Sequence, residues 1–282
     1  MNADITTLYR SDSYRIDDFR CKSIAGEDSD VEYQTEFSLG FTRKGNYIYN
    51  VFRNSVDVYN GRITLNKPDH EHTVNHVYHI PDECTSFVFS PEFYEEMVDR
   101  YPNLSTRFFK DDDVQLLVVG SDASMDFLHN RVVHVLKTKQ YSRLLIDSLV
   151  YEILNSTLGK LADGDCGTSV PSSLKNHHLQ TVERAKEYIA ANYARDLSLG
   201  EIADNSYVSP FHFSRVFRSF TSCSPHRYLM DTRLKNAELM IRNTAAAITD
   251  ICRTSGFESL EYFSAAFKKK YKMSPSKHRG RI

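Results

Sequence analysis

Through roughly the first ninety residues, apolar side chains recur in short runs bounded by turn residues. Beyond them the spacing changes to the three-to-four period of helices. Runs mixing β-branched and aromatic residues predict strands over Phe37–Phe41, Tyr47–Phe52, Ser55–Tyr59, Ile63–Leu65, His76–Ile80 and Ser86–Phe89. Lys44-Gly45-Asn46, Asn60-Gly61 and Lys67-Pro68-Asp69 punctuate them. Asn60-Gly61, with Val56 and Val58 before it and Ile63 and Leu65 after it, predicts a tight hairpin. Short strands at this spacing predict a β-barrel or sandwich. Pro91 then opens a short helix reaching Arg100, and two longer helices are predicted over Ser124–Lys137 and Ser142–Leu161. The second carries Leu145, Leu149, Leu154 and Leu158 with Ile146, Val150 and Ile153 alongside. That face is wide enough to pack on the barrel or on a second copy of itself, and the pattern leaves both open. Gly, Asp, Ser and Thr dominate from Gly159 to Asn176 and predict a linker at 163–176 between a domain over 1–162 and one over 177–282. Helical periodicity resumes at Val182, Ala185 and Ile189. The expected fold class is α+β, a barrel with a helix pair followed by an all-α domain.

Charge sharpens this division. The net charge of −2 conceals 17 Lys/Arg against 27 Asp/Glu in residues 1–165, and 18 against 10 in residues 166–282. A basic half joined to an acidic one points to a polyanionic partner for the basic half. Five scattered cysteines (Cys21, Cys84, Cys166, Cys223, Cys252) without a CxxC pair fit a reducing compartment better than a disulfide framework. Met1-Asn2-Ala3-Asp4 opens no signal-peptide pattern, and no apolar run reaches membrane-spanning length, so a soluble cytoplasmic protein is expected.

Within the basic half one stretch is written twice. Ser209-Pro210-Phe211-His212-Phe213-Ser214-Arg215-Val216-Phe217-Arg218 returns fifty residues later as Ser259-Leu260-Glu261-Tyr262-Phe263-Ser264-Ala265-Ala266-Phe267-Lys268. Ser224-Pro225 is likewise matched by Ser274-Pro275. Each copy predicts a helix with a Ser N-cap and Phe at i, i+4 facing the core. A shorter helix precedes each. Ser198 and Glu201 form a capping box ahead of Ile202-Ala203, and Ile248-Thr249-Asp250-Ile251-Cys252 repeats the plan at an offset of 49, which puts one extra residue in the second turn, at Gly256. Short helix, tight turn and longer helix are the elements of a helix-turn-helix, whose second helix enters the DNA major groove. The long helix predicted from Ser224-Pro225 to about Arg242 would hold two such units a helical turn of DNA apart.

On these residues, from about 180 to 282, the chain resembles the DNA-binding domain of the AraC/XylS family of bacterial transcription regulators. The residues carrying the resemblance include Phe213, Ser214-Arg215, Phe217-Arg218, Tyr228-Leu229, Arg233-Leu234, Gly256-Phe257, Tyr262-Phe263-Ser264, Phe267-Lys268-Lys269 and Arg279. The resemblance implies that Pro210, Phe211, Ser214, Arg215 and Arg218 face double-stranded DNA from the first unit, with Arg215 reading a base edge. In the second unit it implies Glu261, Tyr262 and Ser264 toward bases and Lys268, Lys269 and Lys270 on phosphates. There are departures. The family usually has Gly at the positions of Ser222 and Lys272, so these turns either do not need a positive φ or tolerate strain. It usually has a polar residue at the position of Ala265, so the second unit resembles a clamp more than a reader. The strands and helix pair of 1–162 resemble, more weakly, the cupin-like barrel with which such regulators sense a small-molecule effector and form homodimers. Gly40, Phe41, Tyr47, Tyr49, Pro68, His76, Cys84 and Phe87 occupy its lining and turn positions. The same resemblance makes RNA polymerase a further candidate partner.

Catalytic signatures are missing from the sequence: there is no GxSxG, P-loop, GxGxxG or HExxH. The cluster Asp69-His70-Glu71-His72-Thr73-Val74-Asn75-His76 places His70 and His72 on one face of a strand, within reach of a metal. His76 falls where metal-binding barrels of the cupin class carry a Glu, and the expectation is of exposed polar histidines with no metal, no cofactor and no enzyme activity. The competing readings are a metal-dependent barrel enzyme, or a protein-interaction module, carrying a DNA-binding domain.

Overall fold

A computed structural model of the chain describes residues 3–22, 29–52, 54–77, 81–100, 107–111, 113–139, 141–162 and 170–280. The chain divides into two compact units, residues 1–121 with 128–183, and residues 122–127 with 184–282.

The first unit contains two antiparallel sheets. One has six strands in the order β1 (Ala3–Arg10), β2 (Tyr14–Cys21), β9 (Glu83–Phe89), β4 (Ser38–Lys44), β7 (Arg62–Asn66), β10 (Leu116–Gly120). The other has four, in the order β3 (Glu32–Gln34), β8 (His70–His76), β5 (Asn46–Val51), β6 (Asn54–Tyr59). The α+β class holds, and of the barrel or sandwich expected from the sequence no closed barrel forms among the described residues. Among the described residues the hydrogen-bond ladders stop at β1 and β10 in one sheet and at β3 and β6 in the other. The hairpin expected at Asn60-Gly61 is also absent. Those residues, with Gly61 at φ +86°, carry the chain from β6 in one sheet to β7 in the other. The pairing of β5 with β6 instead runs up to Val51 opposite Asn54, and Phe52 takes φ +52°.

Strand periodicity explains how the six-stranded sheet is used. Phe37, Leu39 and Phe41, Ile63 and Leu65, and Phe87 and Phe89 alternate onto one face and are almost fully buried. That face meets helices: Phe41 stacks on His129 at 4.6 Å, and the Tyr14 hydroxyl donates to Asp147 Oδ1 at 2.5 Å. His129 belongs to α3 (Ala123–Thr138) and Asp147 to α4 (Arg143–Ala162). The intervening positions Ser38, Gly40, Thr64, Asn66, Cys84 and Ser86 face the other way and line a cavity of about 280 Å³ with Tyr47, Tyr49, His72 and His76. So Gly40, Tyr47, Tyr49, His76 and Cys84 are lining residues as expected from the sequence, whereas Phe41 and Phe87 belong to the helix-covered face.

Strand β8 starts six residues earlier than expected, at His70, and residues 78–80 lie outside the described residues. Its inward positions are His70, His72, Val74 and His76. The histidines are buried rather than exposed, with 2%, 8% and 5% of their surface accessible, a correction whose cause is that polar residues fill the inward positions of this strand. Helix α4 buries Ile146, Leu149, Val150, Ile153, Leu154 and Leu158 within the unit and leaves Leu144 and Tyr151 exposed. Helices α1 (Pro91–Arg100) and α2 (Arg107–Lys110) precede β10. Helix α5 (Ser172–Asn192) begins inside the stretch read from sequence as linker. Residues 163–169, Cys166 among them, lie outside the described residues. Among the described residues no helix is long and apolar enough to cross a membrane.

The second unit is helical: α6 (Leu199–Asn205), α7 (Pro210–Thr221), α8 (Pro225–Asn243), α9 (Ile248–Thr254), α10 (Leu260–Tyr271) and α11 (Pro275–Arg279), with the last turns of α5. Serine N-caps organise it. Ser198, Ser224, Ser259 and Ser274 each accept a backbone N–H three residues on, whereas Ser209 makes no such bond and relies on Pro210 at N1.

Candidate nucleic-acid interface

The two halves of the second unit are built alike around paired phenylalanines. Phe213 and Phe217 of α7 pack at 5.4 Å between ring centroids, and Phe263 and Phe267 of α10 at 5.7 Å, all four fully buried. Ile202 and Ala203 of α6 are buried as Ile251 and Cys252 of α9 are. With these anchors inward, the opposite face of each longer helix is left to solvent. On α7 it carries Pro210, Phe211, Arg215 and Arg218, exposed, with Ser214 half-buried. Phe211 keeps 83% of its surface accessible, and an aromatic ring that exposed has no packing role inside the unit. On α10 the counterparts of Phe211, Ser214, Arg215 and Arg218 are Glu261, Ser264, Ala265 and Lys268, exposed apart from the half-buried Ser264, and Tyr262 and Lys269 are exposed beside them. The site residues expected from the sequence are thus brought onto two helix faces. Glu261 accepts from the Ser259 hydroxyl at 2.8 Å, and that bond holds its carboxyl below the usual range.

Lys270 departs from expectation. It does not extend the basic run toward a phosphate. Its ammonium pairs with Asp231 Oδ1 at 3.1 Å and donates to Ser124 Oγ at 3.0 Å and to the Asp231 carbonyl at 3.2 Å. Burial lowers its pKa, and Asp231 opposes that shift. The helical turn rotates a third consecutive lysine toward the protein. Arg233 of α8 is likewise structural. Its Nε and Nη2 donate to the carbonyls of Tyr193 and Arg195, each at 2.8 Å, tying α8 to the end of α5.

The turns inside the two helix-turn-helix units correspond through their left-handed residues. Tyr207 has φ +58° and Gly256 φ +85°, and Val208 and Phe257 donate to Ala203 and Cys252 at 3.2 and 3.1 Å. The extra residue of the second turn is therefore Glu258, the one before the Ser259 cap, and not Gly256. The glycine has its own cause: a Cβ there would lie 2.7 Å from the Tyr193 carbonyl and 2.9 Å from Arg233 Nε. Both terminal turns are left-handed as well, with Ser222 at φ +60° and Lys272 at φ +63°. Of the two readings open in the sequence, strain that is tolerated is the one observed.

Two helix-turn-helix units joined by α8 define the class of protein to which this geometry belongs. A helix-turn-helix domain model matches residues 202–281. PocR, a regulatory protein from Salmonella typhimurium, is 28% identical over 105 residues, 37% of this chain and 35% of that protein. The bifunctional transcriptional activator and DNA repair enzyme AdaA from Bacillus subtilis is 30% identical over 114 residues, 40% of this chain and 54% of that protein. The C-terminal domain of AraT, a response regulator from Geobacillus stearothermophilus, is 31% identical over 36% of this chain and 85% of its own length, with a TM-score of 0.35. Residues 202–281 thus carry a helix-turn-helix domain of the AraC/XylS type. The chain spans about a third to a half of the length of these two curated relatives.

Proposed function

We propose that the protein is a sequence-specific transcription regulator that binds double-stranded DNA through α7 and α10. The observation that carries this reading is the repetition of one solvated helix face, on two helices of like construction, in the basic half of the chain. Helix α8 spans 19 residues, roughly 28 Å at 1.5 Å per residue, close to the ~34 Å repeat at which successive major grooves present themselves on one side of B-DNA. In this reading Arg215 reads a base edge, because a guanidinium meets the two acceptors of guanine in the major groove. Pro210, Phe211, Ser214 and Arg218 flank it. Glu261, Tyr262 and Ser264 present the second helix to bases, while Lys268 and Lys269 hold phosphates.

The cavity of the first unit supports a small-molecule effector as the regulating signal, bound in a cupin-like fold that stops short of a closed ring. The exposed Leu144 and Tyr151 on α4 support a homodimer. The protein works in the cytoplasm, with RNA polymerase as its partner at promoters, and performs no catalysis. Arg215→Ala is expected to weaken specific binding by about 1–3 kcal/mol and to relax one base position. The measurement is selection of bound sequences from a random duplex pool, followed by titration of the selected site. Unchanged preference and affinity in the variant would remove Arg215 from the base-reading role.

A further inference from the structure

The end of the cavity nearest Cys21 carries chemistry that DNA binding does not use. Cys21 closes β2, His76 closes β8 and Asp82 precedes β9, and all three are buried, with 4%, 5% and 1% of their surface accessible. Cys21 donates its backbone N–H to the Asp82 carbonyl at 2.9 Å, which holds the two residues side by side across adjoining strands. Cys21 Sγ lies 3.4 Å from His76 Nε2 and 3.9 Å from Nδ1, and His76 Nδ1 lies 2.7 Å from Asp82 Oδ2. One sulfur, one ring nitrogen and one carboxylate oxygen thus fall within 4.8 Å of one another.

We propose that Cys21, His76 and Asp82 form a binding site for a divalent transition metal of the zinc class, with one coordination position open to the cavity. Ligands at about 2.0–2.3 Å from a tetrahedral zinc are roughly 3.3–3.6 Å apart. With His76 Nδ1 as the ligand atom, its separations of 3.9 Å from Cys21 Sγ and 2.7 Å from Asp82 Oδ2 fall on either side of that edge, and shifts of about half an ångström bring both to it. Charge favours the ion. A carboxylate buried to this degree is costly unless paired, and its Oδ1 has no hydrogen-bond partner. A thiolate and a carboxylate together balance a doubly charged cation, leaving the buried cluster neutral. Thiolate, imidazole and carboxylate in one set select a borderline cation over magnesium or calcium, which prefer oxygen alone. The carboxylate is also held in place from behind. Gly45, at φ +83° between β4 and β5, sits so close that a Cβ there would lie 2.1 Å from Asp82 Oδ1.

Three protein ligands leave a tetrahedral ion one position short. His76 and Asp82 both line the cavity, so that position faces a space walled by Tyr47, Tyr49 and His72. A cavity ligand bearing a lone pair would complete the coordination there. The neighbouring His70 and His72, which the strand spacing singles out for a metal, are not part of this cluster. His72 stacks on Tyr49 at 4.6 Å and faces Glu32 Oε2 at 3.6 Å.

The test uses the full chain, stripped with a chelator and titrated with Co²⁺ alone. One equivalent is expected to produce the near-ultraviolet thiolate-to-cobalt charge-transfer absorption, and Zn²⁺ is expected to bleach it. Cys21→Ser should abolish the band, whereas His70→Ala and Cys84→Ser should leave it intact. His76→Gln serves the same purpose as Cys21→Ser if the serine variant fails to fold by circular dichroism. A wild-type protein without the band, a band that persists in Cys21→Ser, or a band lost in His70→Ala or Cys84→Ser would each overturn the assignment.

Discussion

Ser222 and Lys272 end α7 and α10 with φ near +60°, a conformation in which a side chain is strained and glycine is not. Both residues are exposed, so little packing is lost on replacement. Ser222→Gly and Lys272→Gly are each expected to stabilise the second unit by about 0.5–1 kcal/mol. Chemical denaturation of the full chain and each variant measures this through the midpoint of the second unit's transition. Gly256→Ala should do the reverse, because its Cβ would press on the Tyr193 carbonyl and Arg233. The sequence shows which residues are unusual at the first two positions. It does not show the sign of φ, which depends on where the following Ser-Pro pair must start the next helix.

At the scale of elements, the lysines of α10 separate by helical phase. Lys268 and Lys269 point to solvent and Lys270 does not. Replacing Lys268 and Lys269 together with Ala is expected to reduce the slope of log affinity against log salt by about 1.8, at about 0.9 per phosphate contact. Lys270→Ala should leave that slope unchanged and instead lower stability by about 1–2 kcal/mol, since it breaks a mostly buried pair while Asp231 retains Arg227 at 2.6 Å. Salt titrations of DNA binding beside denaturation curves distinguish the two effects. Strand β8 is the element the hydrophobic pattern concealed most thoroughly. It alternates inward and outward without a break, yet three of its inward positions are histidine, so a search for apolar alternation starts it too late. β2, with four charged residues in eight, is a strand because partners stand beside it and not because of its own composition, whereas β10 (Leu116–Gly120) is apolar but only five residues long.

At the scale of the molecule, the reading of an effector in one unit and DNA on the other requires the effector to bind two states of the chain with different affinity. A panel of sugars, fatty acids, aromatics and peptides, screened by thermal shift, should yield a ligand that raises the melting temperature. That ligand should also change operator affinity in a gel-shift titration. Tyr49→Ala, at the cavity wall, should reduce the thermal shift. Equal operator affinity with and without a stabilising ligand would end the gating model and leave the DNA-binding assignment standing. Sedimentation of Leu144→Glu tests the dimer, which should dissociate if the exposed part of α4 lies in its seam.

The helix-turn-helix half was legible in the sequence because its determinants are local. Serine caps, Phe at i, i+4 and Ser-Pro starts act within one or two turns of helix, and the doubling of the pattern made each copy a check on the other. Only tertiary structure decided what depends on partners distant in sequence. Asn60-Gly61 has the composition of a hairpin but changes sheets. Among the described residues the strands of the first unit make two sheets whose edges do not join by hydrogen bonds. Lys270 is drawn inward by an aspartate 39 residues away. Cys21, His76 and Asp82, unremarkable in sequence and 55 and 6 residues apart, meet only because antiparallel pairing brings β2 beside β9 and the facing sheet delivers β8 across the cavity.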